Sequence, residues 1–281
     1  EYTLRRKLDS FLVDWKANPD HLPLIIKGAR QVGKTSSITH FAKNYKSFIS
    51  INFIEEPKYK RIFEKGFKPD TVIREISFLN SDWEFIPHDT LILFDEMQEC
   101  PDCTTSLKFF KLDGRFDVIC SGSLPGVHYK EISSVSVGFK EDYEMHSLDF
   151  EEFLWANGMN PDVIEALRKF YTEETPVPEG IHVAMRQYLN LYVAIGGFPA
   201  PINAFLTTNN MNAVSEEYKG ILKEYRDDMV KYAPDKDKPH IRECFNSIPK
   251  QLAKENKKFQ YSKVKPGGRG ETYLGSLQWL E

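Results

Sequence analysis

Cysteine is scarce and follows no scaffold. Four cysteines occur in 281 residues, at positions 100, 103, 120 and 244, which excludes a disulfide-stapled fold and suits a reducing, cytoplasmic setting. Long hydrophobic runs are missing as well. No stretch of about 18 apolar residues occurs, so no segment reads as a membrane-spanning helix. No secretory leader is visible, although the chain opens on Glu1 rather than methionine. Internal repeats, low-complexity tracts and an H-E-x-x-H pair are absent. Cys100-Pro-Asp-Cys103 has no second pair of ligands at zinc spacing, and it is read as two ordinary loop cysteines.

What is present is the balance of a folded globular chain, 41% hydrophobic and 28% charged. Its net charge of −4 is unevenly spread. From His240 onward eight basic residues face four acidic ones, a tail of +4, and the preceding 239 residues carry −8. A basic module on an acidic body leaves DNA open as a partner, although an excess this small also describes an ordinary solvated surface. Asp227 and Asp228, flanked by Arg226 and Lys231, are read as such a surface.

Thr3 to Ala17 predicts an amphipathic helix with Leu4, Leu8, Phe11, Leu12 and Trp15 on one face. Short apolar strands are expected at 22–27, 48–53, 90–94 and 116–120, with a fifth at 143–148, and helical segments lie between them. Apolar strands alternating with helices predict a parallel sheet covered on both faces, the α/β class. After Asp149 the pattern turns helical: 150–157, 161–171, 182–195 and 214–232, followed by a break at 234–239.

Between the first strand and its helix, Gly28-Ala29-Arg30-Gln31-Val32-Gly33-Lys34-Thr35 is a complete G-x-x-x-x-G-K-T, and Ser36 continues it. The glycines let the loop curl until backbone N–H groups point inward at phosphate oxygens. The following helix adds the positive end of its dipole. Lys34 then reaches the β- and γ-phosphates of ATP or ADP, and the Thr35 hydroxyl ligates Mg²⁺. Downstream, Leu91 to Glu96 is an apolar strand ending in two carboxylates. Asp95 is expected to hold the Mg²⁺ and Glu96 to polarise an attacking water. Ser121 and Ser123 close the fourth strand, where they either orient that water or form a simple turn. No N/T-K-x-D element marks a guanine site, so adenine is the expected base.

Several stretches resemble a known family, the prokaryotic AAA-like ATPases in which a P-loop core precedes a C-terminal domain of unknown function. They are GARQVGKT, LFDEMQECPD, ICSGSL, MHSLDFEEFLWANG, YVAIGGFPAPI and the closing KENKKFQYSKVKPGG…YLGSLQWL. The resemblance implies an AAA/STAND-like P-loop NTPase with an N-terminal helix at 1–21, an ATPase core at 22–149, a helical lid at 150–235 and a partial winged helix at 236–281. It also implies that Gly197 and Pro199, within Gly196-Gly197-Phe198-Pro199, touch the nucleotide from the lid. From the residues alone, these four are a helix stop and a turn.

Two departures stand out. Many relatives carry Gly-Arg before the fifth strand, at the place of an arginine finger, whereas this chain has Gly138-Phe139-Lys140. Lysine lacks the planar fork of arginine. The sequence also stops inside the third helix of the expected winged helix. Residues 236–281 are therefore expected to meet a protein partner or the family's terminal domain. Two functions follow, an Mg-dependent ATPase and a slow nucleotide-gated switch. Asp95-Glu96 favours the first and Lys140 the second, while the Arg-rich acceptor lid of a small-molecule kinase is not seen.

Overall fold

The structure, a computed structural model, describes residues 4–123 and 138–280. The expected helix start at Thr3, Leu124 of the fourth-strand stretch and Glu281 lie outside them. The elements in chain order are α1 (Lys7–Ala17), β1 (Leu24–Lys27), α2 (Lys34–Phe41), β2 (Ser47–Asn52), a 3-10 segment (Pro57–Phe63), α3 (Pro69–Leu79), β3 (Thr90–Asp95), α4 (Asp102–Asp113), β4 (Asp117–Gly122) and β5 (Glu141–Glu144). The rest is helical: α5 (Phe150–Ala156), α6 (Pro161–Thr172), α7 (Glu179–Ile195), α8 (Pro199–Thr208), α9 (Met211–Tyr232), α10 (Lys238–Leu252), α11 (Tyr261–Val264) and α12 (Gly270–Leu280).

The five strands form one parallel sheet in the order β2-β3-β4-β1-β5. Side chains alternate across it, so each strand supplies both faces. Leu24, Ile26, Leu91, Leu93 and Ile119 share one face with Leu8, Leu12 and Trp15 of α1 and Ile38 and Phe41 of α2. On the other face the Phe94 ring stacks on Phe53 at 5.9 Å and meets Phe110 of α4 edge-on at 6.5 Å. β3 is buried at every position, as a central strand covered on both sides must be.

Four readings change. Helix α1 begins at Lys7, because Arg6 is extended and its N–H donates to Asp9 Oδ2 at 2.8 Å. Leu4 therefore leaves the α1 face and is buried among Leu148, Phe153, Ile195, Ile202 and Val214. β5 is the charged segment Glu-Asp-Tyr-Glu rather than the more apolar 143–148. Its pairing with β1 decides this, and charges on an exposed edge strand discourage pairing with another chain. Helix α8 was not foreseen at all; Pro199, read as part of a turn, is its first-turn proline.

The chain divides into two compact units at 218/219, within α9. The first holds the sheet and the helices up to that point. In the second, Met229, Ala233 and Ile241 form a small core with Phe245, Trp279 and Leu280, and the Tyr273 hydroxyl donates to Glu243 at 2.7 Å. Among the described residues no single helix is long and apolar enough to cross a membrane.

Candidate functional site

The sheet order places β4 between β3 and β1, so the C-terminal ends of all three meet. The G-x-x-x-x-G-K-T loop leaves β1 there and enters α2. Its turns use left-handed backbone at Gln31 (φ +63°) and at Gly33 (φ +98°), the N-cap of α2. Gly28 is required for a different reason. A Cβ on it would sit 2.1 Å from the Met145 carbonyl oxygen, so any side chain would drive the loop away from the chain leaving β5. Val32 contributes its side chain to the core, whereas Ala29, Thr35 and Ser36 are exposed.

The Lys34 side chain is buried, and its Nζ donates to the carbonyls of Gly28 (2.8 Å) and Ala29 (2.7 Å). Burial pushes its pKa down to about 8, against the opposing pull of Glu96 and Asp95. This is a cation held by loop carbonyls in a water-poor place, which an anion would relieve.

One carboxylate gathers the strand ends. Asp95, buried at the end of β3, accepts from Thr35 Oγ1 at 2.9 Å, from Ser121 Oγ at 2.5 Å and from the Glu96 N–H at 3.0 Å. Of the two serines, Ser121 makes this contact; Ser123 follows the end of β4. Thr35 and Asp95 together offer a hydroxyl and a carboxylate, the hard oxygen donors that Mg²⁺ accepts alongside water and phosphate oxygens, so these residues fit that ion.

Glu96 occupies left-handed backbone (φ +56°), uncommon for a residue with a Cβ. That turn brings its carboxylate onto Gln98, whose Nε2 donates to it at 2.5 Å. A Cβ on Gly122 would lie 2.6 Å from Gln98 Oε1, so the strand end is bare where the amide packs. The sequence reading missed Gln98. Its only signal was its place two residues after Glu96, and that becomes a contact only through the turn.

Pro199, in the first turn of α8, places its Cγ 3.5 Å from the position of a Cβ on Gly33. Gly197 abuts a different neighbour. A Cβ on it would lie 2.4 Å from the Leu148 carbonyl oxygen, and its own carbonyl accepts from the Leu148 N–H at 2.7 Å.

Two further side chains need comment. Lys140 pairs with Asp142 at 2.5 Å, on the segment entering β5. Of the cysteine pair, Cys100 lies in the loop before α4 as expected, whereas Cys103 lies in the first turn of α4, fully buried, with its Sγ 4.0 Å from that of Cys120. Burial raises the thiol of Cys100 to about 11 and that of Cys103 well above its usual value, so neither is a ready thiolate.

A parallel sheet with a glycine-lysine loop after its first strand and a buried aspartate ending a neighbouring strand defines a P-loop nucleotide-binding fold. Residues 20–154 match the family model of an AAA domain, and residues 186–281 match a domain of unknown function (DUF8612). The chain carries an AAA-like P-loop ATPase domain followed by that second domain. Among solved structures it is similar to the Walker-type ATPase PABY2304 of Pyrococcus abyssi, at 14% identity and TM-score 0.56, over 99% of this chain and 89% of that one. It also matches the Aeropyrum pernix Orc1 protein in complex with DNA, at 13% identity and TM-score 0.41, over 98% of this chain and 78% of that one. At these identities the first likeness speaks for the fold alone, and the second carries no argument. No curated protein matches the sequence.

Proposed function

We propose that the chain binds Mg·ATP at residues 28–36 and hydrolyses it to ADP and phosphate. The observation that carries this reading is the junction at Asp95, where Thr35 of the loop helix and Ser121 of β4 converge on one buried carboxylate beside Glu96. Gly28 to Thr35 wrap the phosphates with backbone N–H groups, and Lys34 exchanges its two loop carbonyls for β- and γ-phosphate oxygens. Thr35 and Asp95 would hold the Mg²⁺, which when bound neutralises phosphate charge. Glu96 takes the proton of a water as its oxygen attacks the γ-phosphorus and the bond to the ADP oxygen breaks. Ser121 keeps Asp95 oriented. Pro199 closes the loop from the lid, and lid movement follows nucleotide state.

The test is phosphate release at steady state, comparing the wild type with Glu96→Gln. We expect binding to be kept and turnover to fall by roughly 10²–10⁴, the scale of a lost general base. A second reading, a slow nucleotide-gated switch, is favoured by the pairing of Lys140 with Asp142, which engages the one cation at the arginine-finger position. A wild type no faster than the variant would select it. In either case we propose that residues 236–281 act as a connector to a protein partner or a further domain. Lys254 and Lys257 support this, since both are engaged with polar atoms at the end of α10.

A further inference from the structure

One charged side chain beside the site has no part in the chemistry above. Arg6, just before α1, is 4% exposed. Its Nη1 donates to the Val32 carbonyl at 2.6 Å and its Nη2 to the His146 carbonyl at 2.7 Å, while Nε lies 3.2 Å from Glu152 Oε1. The three acceptors belong to three separate parts. Val32 is in the phosphate loop, His146 follows Met145 on the chain leaving β5, and Glu152 is in the first turn of α5, where the lid begins. Glu152 is itself buried and held in place. It accepts from the Lys7 N–H at 2.7 Å and the Asp149 N–H at 3.1 Å, and its own N–H donates to Asp149 Oδ1 at 2.9 Å. The guanidinium spreads its donors over one rigid plane, so it spans acceptors on separate segments in a way the single-nitrogen ammonium of a lysine does not reproduce.

The contact with Val32 sets the loop's direction. Across a trans peptide the carbonyl and the next N–H point in opposite directions. With the Val32 carbonyl pinned to Arg6, the Gly33 N–H is aimed away from Arg6. That N–H belongs to the second glycine of the motif, one of the donors a phosphate needs. Nη1 also lies 3.5 Å from where a Cβ on Gly33 would be, so Arg6 packs against the same glycine that Pro199 approaches.

We infer that Arg6 is a positioning residue of the phosphate loop, and that through Glu152 it fastens the first helix of the lid to that loop, so that nucleotide occupancy is transmitted to α5. This rests on the Mg·ATP reading of the loop. The test uses the full chain as wild type, as Arg6→Met, and as Arg6→Met combined with Glu152→Gln, whose amide oxygen still accepts a backbone N–H at the start of α5. The single variant leaves a buried carboxylate without its partner and is expected to be strongly destabilised. The double variant removes both charges and is expected to regain most of the Tm lost by the single variant.

Isothermal titration with Mg·ATP then separates the roles. A positioning role requires affinity about tenfold or more below wild type in the double variant, the scale of one charge-assisted hydrogen bond, despite the restored Tm. Wild-type affinity at restored Tm overturns the inference. If the double variant does not fold, hydrogen exchange on the wild type decides. Nucleotide should slow exchange at residues 149–155 together with 28–36, and protection confined to 28–36 overturns the inference. A wild type that binds no nucleotide overturns the Mg·ATP reading itself, and this inference with it.

Discussion

Lys34 Nζ donates to the carbonyls of Gly28 and Ala29, and both are weaker partners for an ammonium than phosphate. Lys34→Ala removes the loop's central positive charge, and titration with Mg·ATP is expected to show no measurable binding. The depressed pKa of Lys34 predicts a pH dependence as well. Bound phosphates hold the ammonium charged, whereas in the free protein it loses its proton near pH 8. Affinity should therefore be full below about pH 8 and weaken as pH rises through it, with proton uptake on binding detectable by titration in buffers of different ionisation enthalpy. The free fold changes in the opposite sense. Between about pH 8 and 10.5 the unfolded lysine binds more proton than the folded one, so the nucleotide-free protein gains stability across that window. An affinity flat from pH 7 to 9.5 would show that Lys34 does not reach the phosphates.

At the scale of elements, α1 is part of the nucleotide fold rather than an appendage. Leu8, Leu12 and Trp15 close one face of the sheet, and the Trp15 indole N–H donates to the Leu22 carbonyl at 2.8 Å, just before β1. Leu12 is fully buried, so Leu12→Ala is expected to lower stability by about 3 kcal/mol, measured by urea unfolding of the whole chain. A loss under 1 kcal/mol would mean that α1 is only loosely attached. The same helix was legible from its spacing, but its start was not. Periodicity carries the pattern through Leu4, while the capping bond from Arg6 to Asp9 and the apolar cluster around Leu148 and Phe153 take Leu4 elsewhere. β5 shows the converse. The strand expected at 143–148 is found at 141–144, shifted toward the charged residues because that is the stretch that pairs with β1.

For the whole molecule, the basic excess of the tail translates poorly into a nucleic-acid surface. Lys254 donates to Gln251 Oε1 and to the Lys258 carbonyl, Lys257 to the Leu252 carbonyl, and Lys265 lies 3.7 Å from Glu243. Lys257 thus serves the last carbonyl of α10, and the other two are engaged with polar groups of their own unit. We expect fluorescence anisotropy with a labelled duplex to show weak binding at about 50 mM salt and none by about 200 mM, since few phosphate contacts mean easy screening. Tight, salt-resistant, sequence-selective binding would refute the connector role of residues 236–281.

The sequence by itself determined the phosphate loop, the strand ending in Asp95-Glu96 and the α/β class. Each of these is local: glycines at turns, a lysine and a hydroxyl at fixed spacing, apolar runs of strand length. Tertiary structure decided the rest. It put Ser121 against Asp95, because Ser121 lies within β4 whereas Ser123 lies past the strand's end. It brought Gln98 onto Glu96 through a single left-handed residue, and it moved Cys103 from a presumed loop into a buried helix turn. It joined Arg6 to Glu152 across 146 positions of chain, a pairing without a local signature, because the charge that faces a buried guanidinium is set by the tertiary packing and not by its neighbours in sequence.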